Sequence, residues 1–114
     1  MLMNYTNHLL INYSVKKENV ADNILCIENM LAELKAHPAA DVFYAVYQMG
    51  DNSFIHLQCF PDEEITKEIF RRPAFQHFFS QLESIIDQEP VSNDVEKIGF
   101  YSSFQVLRLN AKGS

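Results

Sequence analysis

The chain has 114 residues, 47% hydrophobic and 21% charged, which is enough for one domain with a real core and excludes an intrinsically disordered chain. Nine Lys and Arg against fifteen Asp and Glu leave a net charge of −6. That balance argues against a phosphate-neutralising surface and so against a nucleic-acid partner, and no apolar run reaches the ~18 residues of a membrane span.

From His8 to Val15 the residues alternate, with Leu9, Ile11, Tyr13 and Val15 on one face and His8, Leu10, Asn12 and Ser14 on the other. Period two predicts a strand. Asn19 is placed to cap a helix with Asp22 in its first turn. Val20, Ile24, Ile27, Leu31 and Leu34 then follow at spacings of four and three, the stripe of an amphipathic helix. His37-Pro38 ends it, because the residue before proline disfavours helical geometry. Val42 to Met49 and Ser53 to Phe60 read as two strands joined by the turn residues Gly50-Asp51-Asn52, a hairpin. Pro61-Asp62-Glu63-Glu64 opens a second helix with negative charge at its positive end. Pro73 predicts a kink near Arg71-Arg72, or a short helix followed by a new one with Pro73 in its first turn. The second part carries Phe75, Phe78, Phe79, Leu82, Ile85 and Ile86. Val91 to Asn93 reads as loop and Val95 to Tyr101 as a fourth strand, with Phe104 to Leu109 continuing it or forming a fifth.

The order β-α-β-β-α-β predicts an α+β, ferredoxin-like fold, an antiparallel sheet with two helices on one face. In the third segment Ile55, Leu57 and Cys59 are uniformly apolar, which assigns them to the helix side. Phe54, His56, Gln58 and Phe60 then point away, together with Leu10 and Asn12. An uncovered sheet face that mixes these apolar and polar residues predicts an interface, with a two-fold homodimer packed sheet to sheet. Segment 102–110 folding back over that face is the alternative.

This organisation resembles the dimeric α/β-barrel superfamily, and most closely its antibiotic biosynthesis monooxygenase (ABM)-like branch, over residues 8–101. The most specific point is the kinked second helix, where that family often carries His-x-x-Ser/Thr-Pro-x-Phe-x-x-Phe. Here Pro73, Phe75 and Phe78 match, while Ile69 stands in place of the His and Arg72 in place of the Ser/Thr. The resemblance implies one ABM-like domain over residues 1–114, with 102–114 as a C-terminal extension. It also implies a homodimer with a pocket in each subunit. Its implied activity is oxidation of a small aromatic, quinol- or anthrone-like, by dioxygen without bound metal or flavin. A non-catalytic ligand-binding or stress-response protein of the same fold is the alternative, and a haem-binding or haem-degrading protein a third reading.

An oxygenase of this kind needs a dry apolar cavity and one or two polar groups to take a proton and steady an oxyanion. His56 is the candidate base, since a half-buried histidine titrates near neutrality. Asn12 and Gln58 are candidates to orient a substrate oxygen, and Phe75 and Phe78, with Phe70 and Phe79, to line an aromatic pocket. Arg71 and Arg72 are candidates for a substrate carboxylate. His77 is the only helix-two histidine available to a haem. Cys26 and Cys59 show no metal-ligand spacing and read as free thiols. No metal ligand set emerges. With no basic or apolar leader at the N-terminus, the expected compartment is the cytoplasm.

Overall fold

A computed structural model describes residues 7–103. Strand β1 (Asn7–Val15) leads through a 3-10 turn (Lys17–Asn19) into helix α1 (Val20–Ala36). Strands β2 (Phe43–Met49) and β3 (Ser53–Phe60) form the hairpin, with Gly50 at φ +66° in its turn. Helix α2 (Glu63–Phe70) stops at the kink, and α3 (Pro73–Ile85) starts afresh with Pro73 at its first position. Pro73 needs no N–H there, and its ring holds Arg72 in the extended conformation that precedes proline (φ −64°, ψ 143°). The Asp62 carboxylate caps α2 by accepting from Ile65 N–H at 2.8 Å. Asn19 makes no such bond; the 3-10 turn replaces the expected side-chain cap of α1.

The sheet is antiparallel, in the order β2-β3-β1-β4, with both helix layers on one face. This is the α+β, ferredoxin-like arrangement. Two expectations are corrected. First, β4 is Ile86–Asp94, so Ile86 begins a strand and Val91–Asn93 are ladder residues rather than loop. Nearly every residue of β4 is exposed, so it carries no alternating apolar signal. It is an edge strand, where Pro90 is tolerated, and the register slips around it. Asn12 opposes Val91 and Ser14 opposes Gln88, leaving one extra residue on β4. Val95–Tyr101 forms no regular element, although Val95 N–H still donates to His8 C=O at 3.0 Å. The expected strand 104–109 and the fold-back of 102–110 extend outside the described residues.

Second, the two faces of β3 are exchanged. Phe54, His56, Gln58 and Phe60 are buried beneath the helices, and Ile55, Leu57 and Cys59 lie on the uncovered face. The register gives the reason. Tyr13 opposes Phe54, Ile11 opposes His56 and Leu9 opposes Gln58, so the apolar row of β1 and the mixed row of β3 share one side. Helix α1 is turned slightly from its apolar stripe, with Asn23, Cys26, Ile27 and Met30 buried. Asn23 is tolerated because it is hydrogen bonded, as described below. Around these residues Val15, Ile69, Phe75, Phe78 and Ile85 complete the core.

Candidate functional site

Between the sheet and α3 lies a cavity of about 240 Å³. Its walls are Leu9, Ile11, Phe70, Phe78, Phe79 and Leu82, and its polar lining comes from Tyr13, Tyr44, His56, Gln58 and Ser92. An apolar cavity of ~150 Å³ holds one benzene ring, so this one has room for an aromatic ring with a substituent.

His56 is 2% exposed and pinned at both ring nitrogens. Nε2 lies 2.8 Å from the Tyr13 hydroxyl and Nδ1 2.8 Å from the Tyr44 hydroxyl. Asn23 Nδ2 donates to the same Tyr13 oxygen at 3.0 Å. The ring of Phe78 lies 5.4 Å from the imidazole, centroid to centroid. Burial opposes the charged imidazolium and lowers the His56 pKa from 6.5 to about 4. Burial raises both phenols well above the ordinary tyrosine value. At neutral pH the cluster is therefore uncharged. This corrects the expectation of a base poised near neutrality: His56 has no free nitrogen and little affinity for a proton.

Gln58 is 3% exposed and lines the cavity, and its side-chain amide has no hydrogen-bond partner among the described residues. It stands directly opposite Tyr44 in the β2–β3 ladder, which brings their Cβ atoms to about 5 Å on one face. Its amide N–H groups are available there to donate to a bound oxygen.

Of the residues chosen from sequence, His56, Gln58, Phe70, Phe78 and Phe79 meet at this cavity. Phe75 does not line it; it is fully buried behind the wall, packed against Tyr44, Phe70 and Phe79. Asn12 opposes Ile55 and so lies on the uncovered face, away from His56. Tyr13, Tyr44 and Asn23 were missed. One signal was legible: Asn23 falls three residues after Val20 and four before Ile27, inside the apolar stripe of α1, where a polar residue needs a buried partner. Arg72 is committed elsewhere. It donates from Nε and Nη2 to the Glu68 carboxylate at 3.0 Å each, and from Nη1 to His37 C=O at 2.7 Å, tying the kink to the end of α1.

The described residues do not fit a haem. His77 on α3 is exposed and is not among the cavity's lining residues. The buried Ile69 occupies the place of the family's histidine, and the cavity is too small for a four-pyrrole macrocycle. No cluster of three or more His, Cys, Asp or Glu able to hold a metal occurs among the described residues.

No family model matches the chain, and no curated protein does. Solved structures do match. A Bacteroides thetaiotaomicron protein named as a candidate antibiotic biosynthesis monooxygenase superposes with a TM-score of 0.75 at 12% identity, over 88% of this chain and 96% of that one. A second antibiotic biosynthesis monooxygenase gives a TM-score of 0.69 at 9% identity, over 82% and 99%. The chain has the antibiotic biosynthesis monooxygenase fold. A conserved protein from Methanosarcina mazei shares the fold at a TM-score of 0.68 and 21% identity, over 82% and 93%. In this ABM-fold chain α3 starts at Pro73, and the guanidinium of the preceding Arg72 is anchored to Glu68 and His37. Among the described residues no helix is long and apolar enough to cross a membrane.

Proposed function

We propose that this ABM-fold protein is a monooxygenase that oxidises a small aromatic bearing a ring hydroxyl or carbonyl with dioxygen, without metal or flavin. The observation that carries the reading is Gln58, whose amide has no hydrogen-bond partner among the described residues, standing opposite Tyr44 in the ladder within a cavity walled largely by apolar side chains. The phenyl walls take the ring. Tyr44 and Gln58 take its oxygen and stabilise the enolate or phenolate form, whose electrons dioxygen accepts. For an anthrone-like ring, a CH2 becomes C=O. One oxygen atom enters the product, the other leaves as water with the two hydrogens, and the four electrons come from the substrate. His56 acts through the tyrosines rather than as the proton acceptor.

The test is oxygen uptake with a panel of quinols and anthrones. Wild-type protein is expected to consume one O2 per anthrone, and Gln58→Leu to lose at least tenfold in kcat/KM. Saturable binding of the same rings without uptake, in wild type, would replace this reading with a non-catalytic binding protein.

The same proposal includes a homodimer of single-domain subunits in the cytoplasm. Free Cys26 and Cys59 suit a reducing compartment. The face turned away from the helices presents Leu10, Ile55 and Leu57 together with Phe43, Tyr47, Met49 and Val91, the last four each at least half exposed, with Val95 and Phe100 beside Phe43 and Leu57. A second copy about a two-fold axis buries such a patch against itself. Light scattering is expected to give twice the chain mass, and Tyr47→Lys to give the monomer. A monomeric wild type at micromolar concentration would remove the dimer from the proposal.

A further inference from the structure

The hydrogen-bond chain behind the cavity has a direction. Tyr13 is 4% exposed, and among the described residues its oxygen has two hydrogen-bond neighbours, Asn23 and His56. It accepts from the Asn23 amide nitrogen. If it also accepted from His56, its own proton would be buried with no acceptor, at a cost of a lost hydrogen bond. Tyr13 therefore donates to His56 Nε2. A neutral imidazole has one donor and one acceptor, so the remaining proton sits on Nδ1 and is donated to the Tyr44 oxygen. Nothing among the described residues accepts the proton of Tyr44 in turn, and Tyr44 lines the cavity.

We infer that Asn23, through Tyr13, locks His56 as its Nδ1–H tautomer, so that Tyr44 presents its hydroxyl proton to the cavity and selects aromatic ligands that carry a hydrogen-bond-accepting oxygen. This rests on the cavity being the ligand site, as proposed above. Asn23 and Tyr13 are positioning residues: Asn23 is 1% exposed and is not among the lining residues. Each bond in the chain polarises the next, which strengthens the last donor. The direction is set by a single atom. A carboxylate at position 23 would accept from Tyr13. Tyr13 would then accept from Nε2–H, Nδ1 would accept from Tyr44, and the cavity would face the Tyr44 lone pairs instead of its proton.

The first test needs no ligand. Long-range 1H–15N correlation at pH 7 reads the tautomer of His56 directly and is expected to show Nδ1–H. An Nε2–H signal would overturn the inference whatever the oxygen-uptake result. The second test titrates 1-indanone, an acceptor-only bicyclic ketone, with indane as the control without oxygen. Tyr44→Phe is expected to weaken 1-indanone about tenfold and leave indane unchanged, the size of one hydrogen bond. Asn23→Asp is expected to switch the tautomer to Nε2–H and to weaken 1-indanone by a similar factor without touching it. An unchanged tautomer in a folded Asn23→Asp, or equal losses for ketone and indane, would overturn the assignment. Should Asn23→Asp not fold, the wild-type spectrum and Tyr44→Phe decide. Absence of oxygen uptake alone removes the oxygenase reading and leaves this one standing.

Discussion

Phe75→Ala is expected to destabilise the protein by about 3–5 kcal/mol, the range for removing a fully buried phenyl ring. Phe75 has no exposed surface, and its ring lies 5.9 Å from Tyr44, 6.1 Å from Phe70 and 6.4 Å from Phe79, centroid to centroid. These partners belong to three elements, β2, α2 and α3, so none can close the gap without moving the others. Domains of this size are stable by about 5–15 kcal/mol, which leaves the variant close to the edge of folding. Urea unfolding at 25 °C measures it as a lower midpoint with unchanged slope. A loss below about 1 kcal/mol would mean that the ring is not packed as described. Because Phe75 supports Tyr44 and Phe70, both of which line the cavity, ligand binding is expected to weaken in the same variant even where it remains folded.

The second large effect is acid sensitivity carried by His56. In the folded protein its pKa lies near 4, against 6.5 in the unfolded chain, because burial disfavours the charged ring. Between those two values the unfolded chain binds a proton that the folded chain refuses. Stability therefore falls as pH drops from about 6.5 to 4 and is independent of this group above that window. At ~1.4 kcal/mol per pH unit, the gap amounts to roughly 3 kcal/mol. Carboxylates contribute their own acid loss, so the measurement is a difference. Urea midpoints are taken at pH 7 and pH 4 for wild type and for His56→Gln, which keeps a donor and an acceptor but does not titrate. Wild type is expected to lose roughly 3 kcal/mol more than the variant. Equal losses would show that His56 is either protonated or solvated in the fold.

Both predictions concern residues whose type was conspicuous in the sequence and whose surroundings were not. The helices were legible because apolar spacing and proline chemistry act locally. The stripe of α1, the stop at His37-Pro38 and the restart at Pro73 depend on neighbours a few residues away. The hairpin was legible for the same reason, from Gly50-Asp51-Asn52 between two apolar runs. β4 was not legible. As a polar edge strand with a bulge at Pro90 it has no hydrophobic period to read, and its pairing to β1 is entirely long-range.

The faces of β3 show the limit most clearly. Ile55, Leu57 and Cys59 are uniformly apolar, and local hydropathy assigned them to the core. The molecule instead buries the row containing His56 and Gln58. It does so because the other members of that row, Phe54 and Phe60, meet Tyr13, Tyr44 and Phe70 across the strands and α2, and because Tyr13 and Tyr44 satisfy the imidazole. Hydropathy counts a histidine as polar; two phenols at hydrogen-bond distance make it a core residue. The same exchange carries Asn12 away from the site and brings Gln58 into it.

By itself, then, the sequence determined the element order, the α+β ferredoxin-like class and the aromatic character of the second helical region, all set by local spacing. Only the tertiary structure decided which sheet face is covered, that Tyr13, Tyr44 and Asn23 belong with His56, and that Gln58 faces the cavity with no side-chain partner among the described residues. Those outcomes depend on register between strands distant in the chain, where a shift of one residue moves every side chain to the opposite face.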